Sequence, residues 1–293
     1  MKNIVVATDF SKRSDVAIAR GAALARAQNA KLTVAHIVDD DQSERLASAA
    51  ETEAGALFDA LSAGLQRDHH LDASLVVTRG DPHAEILNVA RNRTADLIVV
   101  GAHRRNLVRN TFIGTTAERS IRTSNVPVLV ARAPDVPPYR RPLIALDLNE
   151  GGLEPLTASR ALGLFDASKA NVVFAYDLHD SHHLLKRAGA TDEELEDHLK
   201  RAEAEVRPRA LGILREVKIN PGDVILKPAL HNAYDPVLEA AKSVMADVIV
   251  VGTKRKKAFE RFRIGSVSEA ILRRAECDVL VIPPAQQEDA GAA

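Results

Sequence analysis

The segment that begins at Ala95, ADLIVVGAHRRNLVRNTFIGTTAERSIRTSNVPVLVA, is written again from Ala246 as ADVIVVGTKRKKAFERFRIGSVSEAILRRAECDVLVI. Gly101 falls on Gly252, Ile113 and Gly114 on Ile264 and Gly265, Glu118 on Glu269, and Val128, Leu129 and Val130 on Val279, Leu280 and Val281. The offset is a constant 151 positions (101 to 252, 114 to 265). Nearer the start, Asp9 in NIVVATDFS answers to Asp147 in PLIALDLNE at the shorter offset of 138 (9 to 147), so the second copy carries an insertion. A duplicated unit demands two copies of one architecture, and 293 residues suffice for two cores.

Each copy alternates apolar, β-branched runs with helical patterns. In the first, the runs are Asn3–Thr8, Lys31–Val38, Ala73–Thr78, Asp96–Gly101 and Val126–Ala131. Near-continuous apolar runs are what a parallel strand buried on both faces requires. Between them, Ser43 precedes a stretch that sets Leu46, Ala50, Ala54, Leu57, Leu61 and Leu65 on one helical face. In the second copy Thr191 and Glu194 have capping-box spacing, followed by Leu195, Leu199, Ala202 and Val206, and Pro208 is expected to kink or interrupt that helix. The fold class is α/β, two tandem open doubly wound parallel sheets. We place the first domain at 1–133, a proline-rich linker at 134–141, the second domain at 142–284 and a disordered tail at 285–293.

Composition narrows the function. The net charge of −1 gives the whole chain no polyanion-binding character, so any basic site is local. A single cysteine, Cys277, excludes an internal disulfide framework and fits a reducing compartment. The opening MKNIVVATDF reaches an Asp too early for a signal-peptide core, and no stretch approaches the roughly 18–20 apolar residues of a membrane span. The expectation is a cytoplasmic protein with no membrane partner.

The repeated loops carry the chemistry. GAHRRNLVRNTFIGTT, Gly101 to Thr116, has three arginines and no acid; its counterpart GTKRKKAFERFRIGS has six basic side chains and one glutamate. Each follows the fourth strand of its copy and opens the next helix. Ligands of open α/β sheets bind beyond the carboxyl ends of the strands, and a helix N-terminus offers unpaired N–H groups and partial positive charge to phosphate.

In these loops and strand ends the chain resembles the universal stress protein superfamily, as a tandem two-repeat member, over essentially its whole length. The family's fingerprint is G-x2-G-x9-G-[ST] after the fourth strand, with an Asp ending the first. Gly101 and Gly114-Thr115 match the outer positions, as do Gly252 and Gly265-Ser266; Asp9 and Asp147 match the Asp. AHIVD places Ile37 where the family packs adenine, and the second copy sets Asp177 there. The resemblance implies Rossmann-like five-stranded sheets of order 3-2-1-4-5 whose last strands meet antiparallel, an intramolecular pseudo-dimer with room for a further homodimer. It also implies ATP or a related adenine nucleotide, with Mg as its possible companion. The first site would comprise Asp9, Ile37, Gly101, Arg104, Gly114, Thr115 and Thr116; the second, Asp147, Gly252, Arg255, Gly265, Ser266 and Val267.

Both copies depart from the fingerprint by placing arginine, Arg104 and Arg255, at the middle glycine. Two readings stay open. Arginine supplies a charged, bidentate phosphate contact, or nucleotide binding is lost and the chain is a nucleotide-free signalling interaction protein. No second carboxylate, paired histidine or nucleophile accompanies Asp9 or Asp147, so any ATP hydrolysis would be slow and secondary to binding. His179, His182 and His183 lack standard metal-ligand spacing to a carboxylate or cysteine and read as a solvated loop, so no metal site is assigned. Asp81-Pro82, answered by Asn232-Ala233, reads as a structural turn, and His69-His70 as a helix end. Lys254 to Lys257 lack the neighbouring aromatics that nucleic-acid stacking needs, so no nucleic-acid partner is expected.

Overall fold

The computed structural model describes residues 1–41, 43–102, 115–133, 138–148, 152–216, 223–253 and 265–284. The first copy runs β1 (Asn3–Thr8), α1 (Lys12–Gln28), β2 (Lys31–Val38), α2 (Glu44–His69), β3 (Ala73–Arg79), α3 (Pro82–Asn92), β4 (Leu97–Gly101), α4 (Thr115–Thr123) and β5 (Val128–Ala131). The second runs β6 (Pro142–Leu146), α5 (Glu154–Leu162), β7 (Asn171–Asp177), α6 (His179–Arg187), α7 (Asp192–Glu216), β8 (Val224–Ala229), α8 (Tyr234–Ser243), β9 (Val248–Gly252), α9 (Ser266–Arg274) and β10 (Asp278–Ile282).

The ten strands of the described residues join one sheet, in the order β3-β2-β1-β4-β5-β10-β9-β6-β7-β8. Each copy contributes 3-2-1-4-5 with parallel pairing, and the copies meet at β5 and β10, which pair antiparallel. Leu129 lies opposite Leu280, its own counterpart 151 positions on (129 to 280), which is the relation a local two-fold axis produces. The pairing removes from solvent two edges made of Val128–Ala131 and Asp278–Ile282, all buried; left open, such apolar edges invite aggregation.

Helices cover both faces, so the strands are buried on both sides. One core gathers Ala17, Ile18 and Ala22 of α1, Leu65 of α2, Leu156 of α5 and Leu214 of α7 against Ile4, Leu129, Phe174 and Leu280. The other gathers Ile86 of α3, Ile121 of α4, Val237 of α8 and Ile271 of α9 against Val5, Ile98, Val173 and Val279. Each core spans both copies.

Three helices differ from the sequence reading. The buried side of α2 carries Ala47, Ala54 and Leu65, while Leu46 and Leu57 are 58% and 43% exposed, so the apolar stripe is narrower than the leucine pattern suggests. In α7 the helix continues through Pro208. Pro208 and Ala204, whose carbonyl loses its partner, are both exposed, so that carbonyl is open to solvent, while Ala210 and Leu214 anchor the last turns. The histidines 179, 182 and 183 stand on helix α6 and not in a loop. The Thr191–Glu194 capping box forms as read: Glu194 N donates to Thr191 Oγ1 (3.3 Å) and Thr191 N to Glu194 Oε2 (2.7 Å).

The insertion is also located. Residues paired across β2 and β3 are 41 apart (Leu32 to Ala73), and those paired across β7 and β8 are 52 apart (Val172 to Val224). The 11 extra residues (52 against 41) fall where α6 and its turn stand.

Candidate functional site

The site is built from the carboxyl ends of the central strands. β1 lies between β2 and β4, so the chain order reverses there and opens a crevice at that edge. Thr8 is level with His36 on β2, so Asp9 comes beside Ile37, and Gly101 closes β4 on the other side. A short network fixes the turn after β1. Phe10 N donates to Thr8 Oγ1 (2.9 Å), Ser11 N to Asp9 Oδ1 (3.0 Å), and Thr8 Oγ1 to Ser14 Oγ (2.9 Å). Phe10 adopts φ 53°, a left-handed conformation costing an ordinary L-residue about 1–2 kcal/mol. Its ring rests 5.1 Å from that of His36, whose Nδ1 is 3.0 Å from the Thr8 carbonyl. Ile37 is half-buried against the core on the α3/α4 face.

α4 starts at Thr115 and carries a half-buried Thr116. Arg104, Gly114 and Arg255 lie outside the described residues, as do Lys254 to Lys257. In the neighbouring turn Asp81 caps α3, accepting from His83 N (3.0 Å) and Ala84 N (3.4 Å), and its Oδ2 is 3.1 Å from Arg119 of α4. Asn232 does the same work for α8, accepting from Tyr234 N and Asp235 N. Both turns are structural caps.

In the second copy Asp147 follows β6, and Gly252 ends β9. Gly152 backs Asp147 so closely that a Cβ on it would stand 2.8 Å from the Asp147 carbonyl oxygen and 3.0 Å from its Cβ. A Cβ on Gly252 would stand 3.0 Å from Pro155 Cγ. The Gly252 carbonyl accepts from Ser268 Oγ (2.7 Å), which ties α9 to the strand end. Among the described residues, Gly265 precedes α9 with no side-chain cap and nothing within 4 Å of where its Cβ would be, so the first N–H groups of the helix meet no side-chain partner there. Ser266 is exposed at that terminus, while Val267 packs into the core. Backbone donors at a helix N-terminus of this kind fit an anion.

The ladders revise one equivalence. Leu146 pairs with Phe174 as Thr8 pairs with His36, so the residue beside Asp147 that answers to Ile37 is Ala175. Ala175 and Ile37 pack against the same core. Asp177, the sequence counterpart of Ile37, lies two positions too far along the strand; its Oδ1 instead accepts from His179 N (2.9 Å). Both crevices therefore have an apolar wall at this position, the second with the smaller side chain. Gly152 and Ala175 are the residues that sequence reasoning missed. The Gly-Gly pair soon after Asp147 was the available signal for the first, and strand register alone identifies the second.

A cleft of about 830 Å³ lies elsewhere, bounded by Arg141, Met245, Asp247, Arg274 and Cys277, toward the opposite, amino-terminal edge of β6 and β9. Its residues are separate from either crevice. Among the described residues no helix is long and apolar enough to cross a membrane.

The model of the Universal stress protein family matches residues 1–132 and again 138–283. The chain belongs to this family. A universal stress protein from Archaeoglobus fulgidus superposes with a TM-score of 0.72 at 16% identity, covering 97% of this chain and 98% of that one. A functionally unknown protein from Pseudomonas aeruginosa gives 0.71 at 19% identity, over 97% and 93%. These likenesses show the tandem fold. By sequence, a putative universal stress protein of Staphylococcus epidermidis is 60% identical over 42 residues, so the match spans only 25% of that relative's length and 14% of this chain. A universal stress protein of Methanocaldococcus jannaschii is 22% identical over 154 residues, 94% of its length and 45% of this chain.

Proposed function

We propose that the protein is a cytoplasmic stress-response module that binds an adenine nucleotide, of the ATP type, at the carboxyl edge of one or both copies. The observation that carries this reading is the juxtaposition at the strand-order reversal of Asp9, the apolar Ile37 and Gly101, repeated as Asp147, Ala175 and Gly252. In this reading the Asp and the apolar second-strand residue hold the adenosine. The glycine loop, the start of α4 or α9, and Arg104 or Arg255 hold the phosphates. Thr116 and Ser266 stand within the first turn of those helices. Mg would arrive with the nucleotide, and the site is a binding site with at most slow hydrolysis.

The test is to titrate the full chain with ATP and with adenosine, after mass spectrometry of small molecules released from the freshly purified protein. Arg104→Ala and Arg255→Ala should each weaken ATP binding by about 1.5–3 kcal/mol, the range of a charged hydrogen bond, and adenosine binding by less. Tighter ATP binding in Arg104→Gly or Arg255→Gly would mean that arginine plugs that loop. No released nucleotide and no saturable ATP binding would overturn the reading in favour of a nucleotide-free interaction protein.

A further inference from the structure

The 11-residue insertion places a histidine cluster at the carboxyl edge of the second copy. His179 and His183 are one helical turn apart on α6 and share a face, with ring centres 4.9 Å apart. His231, in the turn between β8 and α8, completes a triangle, 6.4 Å from His179 and 6.0 Å from His183. All three are exposed. Only the fold brings them together, since 48 residues separate His183 from His231 (183 to 231).

From this juxtaposition we infer that His179, His183 and His231 form a site for a late first-row divalent metal ion, of which Zn²⁺ is the type. Three imidazoles bound tetrahedrally at about 2.0–2.1 Å put their ring centres about 5 Å apart. The three separations here are one at that value and two about 1 Å beyond it. The rings stand edge to face, at 67°, 62° and 79°. Their nitrogens therefore do not yet converge, and side-chain rotation is the movement that metal binding requires.

Two features prepare the cluster. His179 Nδ1 is 2.6 Å from the Leu230 carbonyl. A carbonyl only accepts, so Nδ1 carries the proton, and in the neutral ring Nε2 presents its lone pair. This is how a metal-bound histidine is commonly oriented. Leu230 immediately precedes His231, so the same bond ties α6 to the turn bearing the third imidazole. That turn is itself held by Asn232, which caps α8.

A donor set of imidazoles without thiolate suits Zn²⁺, Ni²⁺ or Cu²⁺ and disfavours Mg²⁺ and Ca²⁺. The exposed Asp39–Asp40–Asp41 group is the contrasting, all-oxygen cluster in the first copy. Metal bound there would brace α6 against the β8–α8 turn.

The experiment is calorimetric titration of ZnCl₂ into the tag-free, chelator-treated full chain, with histidine side-chain NMR read at each addition. One equivalent should bind. The resonances of His179, His183 and His231 should move, and those of His36 and His70 should stay. His183→Ala and His231→Ala should each weaken binding about 100-fold or more, His70→Asn should leave it unchanged, and circular dichroism should report the same fold in each. Absence of saturable Zn²⁺ binding would overturn the inference. So would parental affinity in His183→Ala and His231→Ala, or binding that is lost only in Asp40→Asn.

Discussion

Replacing Asp278 tests what fastens the two copies together. Its carboxylate is fully buried at the start of β10. Oδ1 accepts from Arg132 N (2.7 Å) and Ala133 N (3.1 Å), and Oδ2 accepts from Tyr139 OH (2.7 Å). Arg20 of α1 brings its Nε within 2.8 Å of Oδ2, with 3% of its side chain exposed. That N–H is not aimed as a hydrogen bond, so the contact is one of charge. The Arg20 guanidinium also lies 4.5 Å over the Tyr139 ring. One carboxylate thus joins a helix of the first copy, the end of β5, the connector and a strand of the second copy.

Asp278→Ala removes a buried negative charge 2.8 Å from the Arg20 guanidinium and strands two backbone donors, so it should cost about 3–5 kcal/mol. Asp278→Asn keeps the shape and one acceptor and should fall near the lower end, about 3 kcal/mol. Adding Arg20→Met to Asp278→Asn should recover part of the loss, because no uncompensated charge is then buried. Asp96 supplies the scale for an acceptor without a buried cation. It receives Lys2 N (2.5 Å) and Asn3 N (2.9 Å), and Asp96→Ala should cost about 1–2 kcal/mol. Urea denaturation followed by circular dichroism and tyrosine fluorescence measures all four. The chain has no tryptophan, and one of its three tyrosines is Tyr139 itself. An Asp278→Ala protein within about 1 kcal/mol of the parent, the value of a surface pair, would refute the buried-charge account.

Gly152→Ala should lower stability by about 1–3 kcal/mol and disturb the second crevice, because its Cβ would meet the Asp147 backbone at 2.8 Å; an unchanged denaturation midpoint would contradict this. Burial pushes the Cys277 thiol up to about 12, helped by the nearby Asp278, so it should react slowly with a maleimide at neutral pH and rapidly once urea unfolds the chain. Arg79 bonds both Glu44 and Glu51, first through hydrogen bonds, and holds both carboxyls below the ordinary 4.5. Their contribution to stability is therefore present above the ordinary glutamate pKa and lost as pH falls through the lowered folded values, which a carboxyl NMR titration of the parent and Arg79→Ala reads directly.

How much was legible depended on whether local chemistry or distant contacts decide an element. β1 and β2 coincide with their apolar runs because strands buried on both faces are built mostly from apolar residues, with few polar positions to blur the signal. The sequence HDSHHLLKR buries no residue and has no apolar face to reveal a helix. α6 is held by long-range bonds, His179 to Leu230 and Ser181 to His198 (3.1 Å). The strand-end positions of Asp9, Gly101, Asp147 and Gly252 were legible because position relative to a strand end is a local property. Ala175 was missed because matching letters across the repeat slid two residues, and only a hydrogen-bonded ladder fixes which residue faces which.

The two copies agree where the sheet requires it and diverge at its carboxyl edge. Asp96 and Asp247 each receive backbone N–H groups entering the first strand of their copy, and Asp81 and Asn232 each cap the third core helix. These roles are tied to backbone geometry, which the duplication preserves. At the carboxyl edge, Ile37 is answered by the smaller Ala175, and the second copy alone adds α6 with its histidines. A scaffold held by shared caps and a shared core tolerates such changes because surface segments carry function with little cost to folding. The Asp278 contacts at the junction are the exception. The position answering to Asp278 in the first copy is Pro127, which offers no carboxylate (127 to 278). The near-symmetric β5–β10 ladder is therefore locked by one asymmetric ion pair. That pair distinguishes the first copy from the second at their junction and disfavours replacing either by a second copy of itself.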